Sequence, residues 1–291
     1  MHRIVYAFRL IPYIRKSLAN IRPHSVLSFG EWFNSYIILA TRFLGIPVFV
    51  SDRMGPDMNL GFLLENSRKL TYRFADGIIA QTKVAANRIF ERTGAKEIIV
   101  IPNGVNWSIQ PVKYKKKQIV TVGRLSPEKG HIHLLKAFHK LSLSDWTLHI
   151  IGDGKGKEHL LHYVKTHEME MKVVFHGHLK DFAEILVESS IFVLPSLYEG
   201  FPNALLEAMC IPLACVSTDC VAGPSEIIVD SFNGLLVKPG DVTALADAIQ
   251  LLVENDNLRN ELAENALSVR EKYHNDKISN EYLNYICKSE Y

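Results

Sequence analysis

Short apolar runs alternate along this chain with longer amphipathic stretches. Val26–Phe29, Val48–Ser51, Ile78–Ala80 and Ile98–Ile101 are brief and rich in Val and Ile. Such runs suit strands buried on both faces. Between and beside them, residues 32–44, 59–74 and 82–93 repeat apolar side chains at helical spacing. A second series follows, with strands expected at Ile119–Val122, Leu148–Ile151, Val173–Phe175, Phe192–Leu194, Leu213–Val216 and Leu235–Val237. Helices are expected near 130–141, 157–167, 181–188, 203–210, 242–253 and 257–272, with a last one over 276–286. Strand–helix alternation of this kind predicts an α/β fold with parallel sheets. Pro111–Lys117, with three consecutive lysines, reads as a polar linker. The expected organisation is therefore a first, incomplete domain over 1–112, a second, complete one over 113–273, and a terminal helix over 274–291. Ahead of the first strand, Tyr6, Phe8, Leu10, Tyr13, Ile14 and Leu18 form one helical face, interrupted or kinked at Pro12.

Composition changes this picture little. The hydrophobic share of 47% supports full cores and argues against disorder. No apolar run has the length of a membrane span, and the N-terminus lacks the features of a cleaved leader. Cys210, Cys215, Cys220 and Cys287 form no Cys-x-x-Cys pair and are expected as reduced, packed thiols of a cytoplasmic protein. Charge is more informative. Residues 1–117 hold 18 Lys/Arg against 7 Asp/Glu, and the remainder holds 15 against 24, so a net of +11 is set against −9. The basic half favours an anionic partner such as a membrane surface or a lipid diphosphate. Nucleic acid is not expected, because no aromatic–basic platform or recognition motif stands out.

The richest segment runs from Ser196 to Met209 and places Glu199 and Glu207 eight positions apart. The run Ile191–Pro195 leads into it as a strand, and Ala204–Met209 leads out as a helix. Gly200 sits at the turn, where backbone can approach a ligand closely, and Pro202 suits a helix start. Both carboxylates can then address one ligand whose phosphates meet the free N–H groups of that start. The loop Val122–Gly130 offers Arg124 as a planar fork and Lys129 as a mobile point charge, a spacing that suits two phosphates. Twelve histidines invite a metal reading, but no carboxylate or cysteine completes a set beside His131/His133 or His176/His178. Gly152–Lys157 is Gly-rich but is not a phosphate-binding Walker loop.

Together these segments resemble the glycosyltransferase group 1 (GT4) family of retaining transferases with the two-domain GT-B fold. Glu199 and Glu207 resemble its E-x7-E motif. Val122–Gly130 resembles its G-R-L-x-x-x-K-G motif, and Ile101–Val105 its I-x-N-G-V. Thr218–Ile228 and Asn233–Val237 follow in family order. The resemblance implies two Rossmann-like domains and a last helix that returns to the first of them. It implies a hexosyl or N-acetylhexosaminyl transferase that takes a nucleotide sugar, expected as a UDP-sugar, and needs neither metal nor cofactor. Arg124 and Lys129 would meet the diphosphate and Glu207 the ribose hydroxyls. Glu199 would hold the transferred sugar near the anomeric carbon. His178 and Leu179 would sit at the base, and backbone N–H groups of Gly200, Phe201, Asn203, Ala204 and Leu205 would serve the sugar and diphosphate. Where many members carry a histidine in the first domain, this chain has Glu31, a candidate catalytic polar group that reads equally well as a charge stabilised by its helix N-terminus. Asp52 and Arg53 would line the acceptor side.

The acceptor implied is a surface glycan or lipid-linked oligosaccharide, at the inner face of the plasma membrane. Relative to the family pattern, roughly 70 to 90 residues of early strand–helix units are expected to be absent ahead of Met1, at about 30 per unit. The chain is thus expected to be truncated, with its activity open. Rival readings are a nucleotide-sugar-binding remnant, one half of an enzyme completed by a separate N-terminal subunit, and a GT-B epimerase or phosphorylase.

Overall fold

A computed structural model describes residues 2–107 and 115–287, with side chains from Arg9 onward. The first part of the expected linker, residues 111–114, lies outside the described residues. So do the side chains of Arg3, Tyr6 and Phe8. The described residues form two compact units. One runs to Gly104 and resumes at Asn275; the other is Val105–His274.

The first unit is a four-stranded parallel sheet in the order β1-β2-β3-β4, from Val26–Phe29, Val48–Ser51, Gly77–Ala80 and Ile98–Val100. Side chains alternate between its faces, as the pleat requires. Val48, Val50, Ile78 and Ala80 pack with Ile38, Tyr72, Ala85 and Ile89 from the helices α2 (Glu31–Thr41) and α4 (Lys83–Thr93) and the short turn at 72–74. Ile79 and Ile101 turn the other way, against Ile278, Tyr282 and Tyr285 of the terminal helix α13 (Asn275–Cys287). Gly77 permits that contact, since a methyl there would collide with the Tyr285 ring.

Helix α1 (His2–Ile21) runs through Pro12 instead of stopping at it. Arg15 ties α1 to the end of α2 by donating to the Arg42 carbonyl at 2.5 Å. Tyr13 does not join Leu10, Ile14 and Leu18 on the inner face; it is 72% exposed, beside Arg9 and Lys16 on the outer face. Helix α3 spans Phe62–Thr71, shorter than its apolar pattern suggests.

The second unit holds six parallel strands: β5 (Gln118–Val122), β6 (Thr147–Ile151), β7 (Val173–Gly177), β8 (Ile191–Leu194), β9 (Ala214–Thr218) and β10 (Leu235–Val237). Their order is β10-β9-β8-β5-β6-β7, the doubly wound arrangement of a Rossmann-like domain. One face is covered by α5 (His131–Leu141), α6 (Lys157–Thr166), α10 (Val242–Glu254) and α11 (Asp256–Ala266). On the other lie α7 (Ala183–Glu188), α8 (Asn203–Met209), α9 (Pro224–Ile227) and α12 (Val269–Lys272). Local chemistry sets several helix starts. The Asp241 side chain accepts from the Ala244 N–H at 2.9 Å, and Asn255 accepts from Leu258 at 3.0 Å. The single helix expected over 257–272 is two, α11 and α12, parted at Leu267–Ser268.

The sheet is thus α/β in both units. In the second, β5 has β6 on one side and β8 on the other, so chain direction across the sheet reverses between β5 and β8. Ligands of such sheets bind in the crevice beyond the strand ends at this point.

Candidate active site

Two loops border that crevice, Gly123–Gly130 after β5 and Pro195–Pro202 after β8. They are laced together. The Leu197 N–H donates to the Glu128 carbonyl at 2.8 Å. Gly130 (φ +66°) abuts the Pro195 carbonyl so closely that any β-carbon would collide with it. On the far side of β5, Gly152 lies just as tightly against the Gly123 carbonyl. The loops therefore pack backbone to backbone, which fixes the side chains they carry.

The Lys129 Nζ donates to both carboxylate oxygens of Glu199, each at 2.7 Å. This pair joins residues 70 positions apart across the crevice. Glu199 is 5% exposed and Lys129 22% on the side chain. Ser196 Oγ donates to the same carboxylate at 2.7 Å, and Thr218 Oγ1 donates to the Ser196 carbonyl at 2.5 Å. Two donor groups, making three hydrogen bonds, thus hold one carboxylate at the strand ends, and Thr218 braces the Ser196 backbone. The roles of Ser196 and Thr218 escaped sequence reasoning. The spacing Ser-x-x-Glu was the available signal, since a serine three residues before a glutamate reaches it within one turn.

Arg124 is exposed on the first loop. Nearby, the Ser126 hydroxyl donates to Glu128 at 2.6 Å, and that bond, aided by Arg124 and Lys129, lowers the Glu128 pKa. Glu207 is half-buried on α8, and no side-chain donor reaches it among the described residues. Burial raises its pKa. A partly buried carboxylate without a partner is uncommon in packed protein. Phe201 and Leu205 are core residues, 7% and 0% exposed, so they can offer a ligand only backbone. The Phe201 ring lies 6.2 Å from that of Tyr273, tilted to it by 54°. Gly200 is half-buried, Ala204 likewise, and Asn203 opens α8 with its side chain exposed. His178 is exposed just past β7, and Leu179 is partly buried against the core on the α8 face of the sheet. Among the described residues no three His, Cys, Asp or Glu side chains cluster in a way that could hold a metal.

Glu31 lies in the first unit, at the start of α2 beyond β1. It is 3% exposed, and its Oε1 accepts the N–H groups of Arg53 and Met54 at 2.7 and 2.6 Å. Its second oxygen is buried and unpartnered. Burial, with the Asp52 carboxylate adding to it, raises its pKa. The geometry has Glu31 bracing the 53–54 backbone. Asp52 is engaged too, accepting from Arg68 at 2.5 Å, Tyr72 at 2.7 Å and Asn34 at 3.1 Å. The Arg53 guanidinium meets Asn103, Tyr282 and the Phe29 ring.

Comparison with known proteins bears on what this arrangement serves. The family model described as "Glycosyl transferases group 1" matches residues 107–269, more than half of the chain. A Campylobacter jejuni α-1,4-N-acetyl-D-galactosaminyltransferase, named for a GalNAc-containing diphosphoundecaprenol acceptor, is 24% identical over 99% of this chain and 81% of its own. A second C. jejuni protein, an N-acetylgalactosamine-N,N'-diacetylbacillosaminyl-diphospho-undecaprenol 4-α-N-acetylgalactosaminyltransferase, is 30% identical over 62% of this chain. The chain spans only 49% of that relative's length. Among solved structures, Anabaena HepE in complex with UDP superposes with a TM-score of 0.86 at 18% identity, over 96% of this chain and 82% of that one. This last likeness establishes the GT-B fold. With a family match across nearly all of the second unit, in which Lys129 and Glu199 pair at the switch-point crevice, the chain belongs to the glycosyl transferases group 1 family.

Proposed function

We propose that this protein transfers a hexosyl or N-acetylhexosaminyl group from a nucleoside-diphosphate sugar, a UDP-sugar, to a hydroxyl of a surface glycan or lipid-linked oligosaccharide, with retention of configuration. The observation that carries this reading is the Lys129–Glu199 pair across the switch point. It holds a cation for a diphosphate and a carboxylate for sugar hydroxyls at contact distance in one crevice. Glu207, half-buried with a raised pKa, fits a cis-diol, which offers two donors to one carboxylate. Family membership supports a nucleotide-sugar donor. The UDP in HepE supports uridine, and the undecaprenyl-linked acceptors in the names of both C. jejuni relatives support the acceptor class.

In this reading the bond from the anomeric carbon to the diphosphate oxygen breaks, and the diphosphate leaves with the electron pair. Arg124 and Lys129 stabilise the departing charge. Glu199, released from Lys129, holds the sugar beside the oxocarbenium-like centre. The acceptor oxygen bonds to the same face and passes its proton to the leaving oxygen. Glu31 braces the 53–54 backbone and acts on the acceptor side through that loop. The outer face of α1, with Arg9, Tyr13 and Lys16 exposed, supports contact with an anionic membrane surface. No helix among the described residues is long and apolar enough to cross a membrane.

Calorimetric titration of the protein with UDP and with ADP tests the donor site. Binding of UDP in preference to ADP is the expected result. Failure of folded protein to bind either nucleotide would refute it.

A further inference from the structure

Beside the Lys129–Glu199 pair lies a polar side chain with no role in the scheme above. His131 is the first residue of α5 and is 3% exposed. Both of its ring nitrogens are buried and lack a hydrogen-bond partner. Buried polar groups are nearly always paired, so such a ring asks for an explanation. Its surroundings supply one. A methyl group placed on Gly123 would lie 3.5 Å from the ring Cε1, 3.7 Å from Nε2 and 3.9 Å from Cδ of Lys129. The imidazole edge and the lysine methylenes therefore share the same side of Gly123, at the end of β5 and at the switch point. The lysine is kept there by its two bonds to Glu199. Burial, and after it the charge of Lys129, lowers the pKa of the ring to about 4. The imidazole is then neutral at ordinary pH, with one N–H to give and no second positive charge beside Lys129.

We propose that His131 is a further donor-phosphate residue. When a nucleoside diphosphate draws Lys129 from Glu199, the lysine methylenes withdraw from Gly123, and His131 gives its Nε2–H to the arriving phosphate oxygen. The inference rests on the reading of the switch-point crevice as a diphosphate site. It also explains why a core position beside β5 holds an imidazole and not an apolar side chain. The hydrogen bond that His131 leaves unmade within the protein is one that a phosphate would complete.

The test combines UDP titration and thermal melting of wild type, His131→Phe and His131→Gln with ¹⁵N imidazole spectra of the wild type, with and without UDP. His131→Phe is expected to melt above wild type, since it removes two unpaired nitrogens. It should bind UDP about ten-fold or more weakly, the effect of one lost hydrogen bond to a charged group. His131→Gln keeps an N–H and should recover part of that affinity. The His131 ring resonances should move on addition of UDP. Wild-type affinity in His131→Phe, or ring resonances indifferent to UDP, would overturn the proposal. The spectra decide even where the Phe variant does not fold. A wild type that fails to bind UDP sinks the diphosphate reading and this inference with it. A wild type that binds UDP with a silent His131 sinks this inference alone.

Discussion

Replacing Glu199 by glutamine separates what the carboxylate does for the fold from what it does for the reaction. Glu199 is 5% exposed and takes both short bonds from Lys129 and one from Ser196. The amide keeps one acceptor oxygen but removes the charge opposite Lys129. Breaking one side of a fully buried ion pair costs about 3–5 kcal/mol. Lys129 is 22% exposed, so water takes up part of its charge and the expected loss is about 2 kcal/mol. For a unit of this size that lowers Tm by roughly 4–8 °C. The same change frees Lys129 for a diphosphate, which restores the missing negative charge. UDP should therefore bind Glu199→Gln at least as tightly as wild type and raise its Tm by more. Sugar transfer should fall, because the amide cannot stabilise positive charge at the anomeric carbon. The assay is differential scanning fluorimetry over a UDP series, with radiolabelled-donor turnover alongside. An unchanged Tm together with weakened UDP binding would refute the reasoning. It would mean that the carboxylate binds the nucleotide and that its pairing with Lys129 is incidental.

Three further outcomes are expected. Arg124→Glu should abolish UDP binding by setting a negative charge against the diphosphate, and wild-type affinity by calorimetry would show the phosphates to lie elsewhere. Glu207→Gln should stabilise the protein at neutral pH. The raised pKa of Glu207 means that the folded state disfavours its ionised form, so its contribution is fully present below the ordinary glutamate value of 4.5 and is lost as pH rises through the folded value. The stability gap between variant and wild type should accordingly widen from about pH 4 to about pH 7 in thermal melts, while the variant binds UDP more weakly; a gap that narrows would contradict this. The outer face of α1 should sediment the protein with vesicles containing anionic lipid, and less so as salt rises over the range in which exposed charges are screened. Binding indifferent to salt would rule out a basic surface as the cause.

Much of the fold was legible in the order of residues. Runs such as Val48–Ser51 and Ile191–Leu194 are apolar on both faces and end at Gly, Asp or Pro, and they are strands. The motif residues Arg124, Lys129, Glu199 and Glu207 could be placed on strand-end loops and one helix because apolar period and turn residues are local signals. The same signals misled where a local rule was outweighed by packing. Pro12 suggested an interruption or a kink, and α1 continues through it without interruption. Residues 257–272 read as one helix and are two, with neither Gly nor Pro at the joint. Tyr13 suited the inner face and stands outside it.

The site itself needed the tertiary structure. Lys129 and Glu199 meet only because β5 neighbours β8, a strand order set by which faces bury each other and not by chain order. The Ser196 hydroxyl could have turned to water and instead braces Glu199. Glu31 read as a group free for catalysis or as a helix-end charge; its Oε1 accepts backbone N–H groups more than twenty residues away. His131 stood out in the sequence only as half of a His-x-His pair with His133; that both its nitrogens are enclosed beside Gly123 is a tertiary fact. Sequence determined which residues stand at strand ends, because burial imprints a period on neighbouring positions. Which of them touch depended on contacts between residues far apart in the chain, and no local period records those.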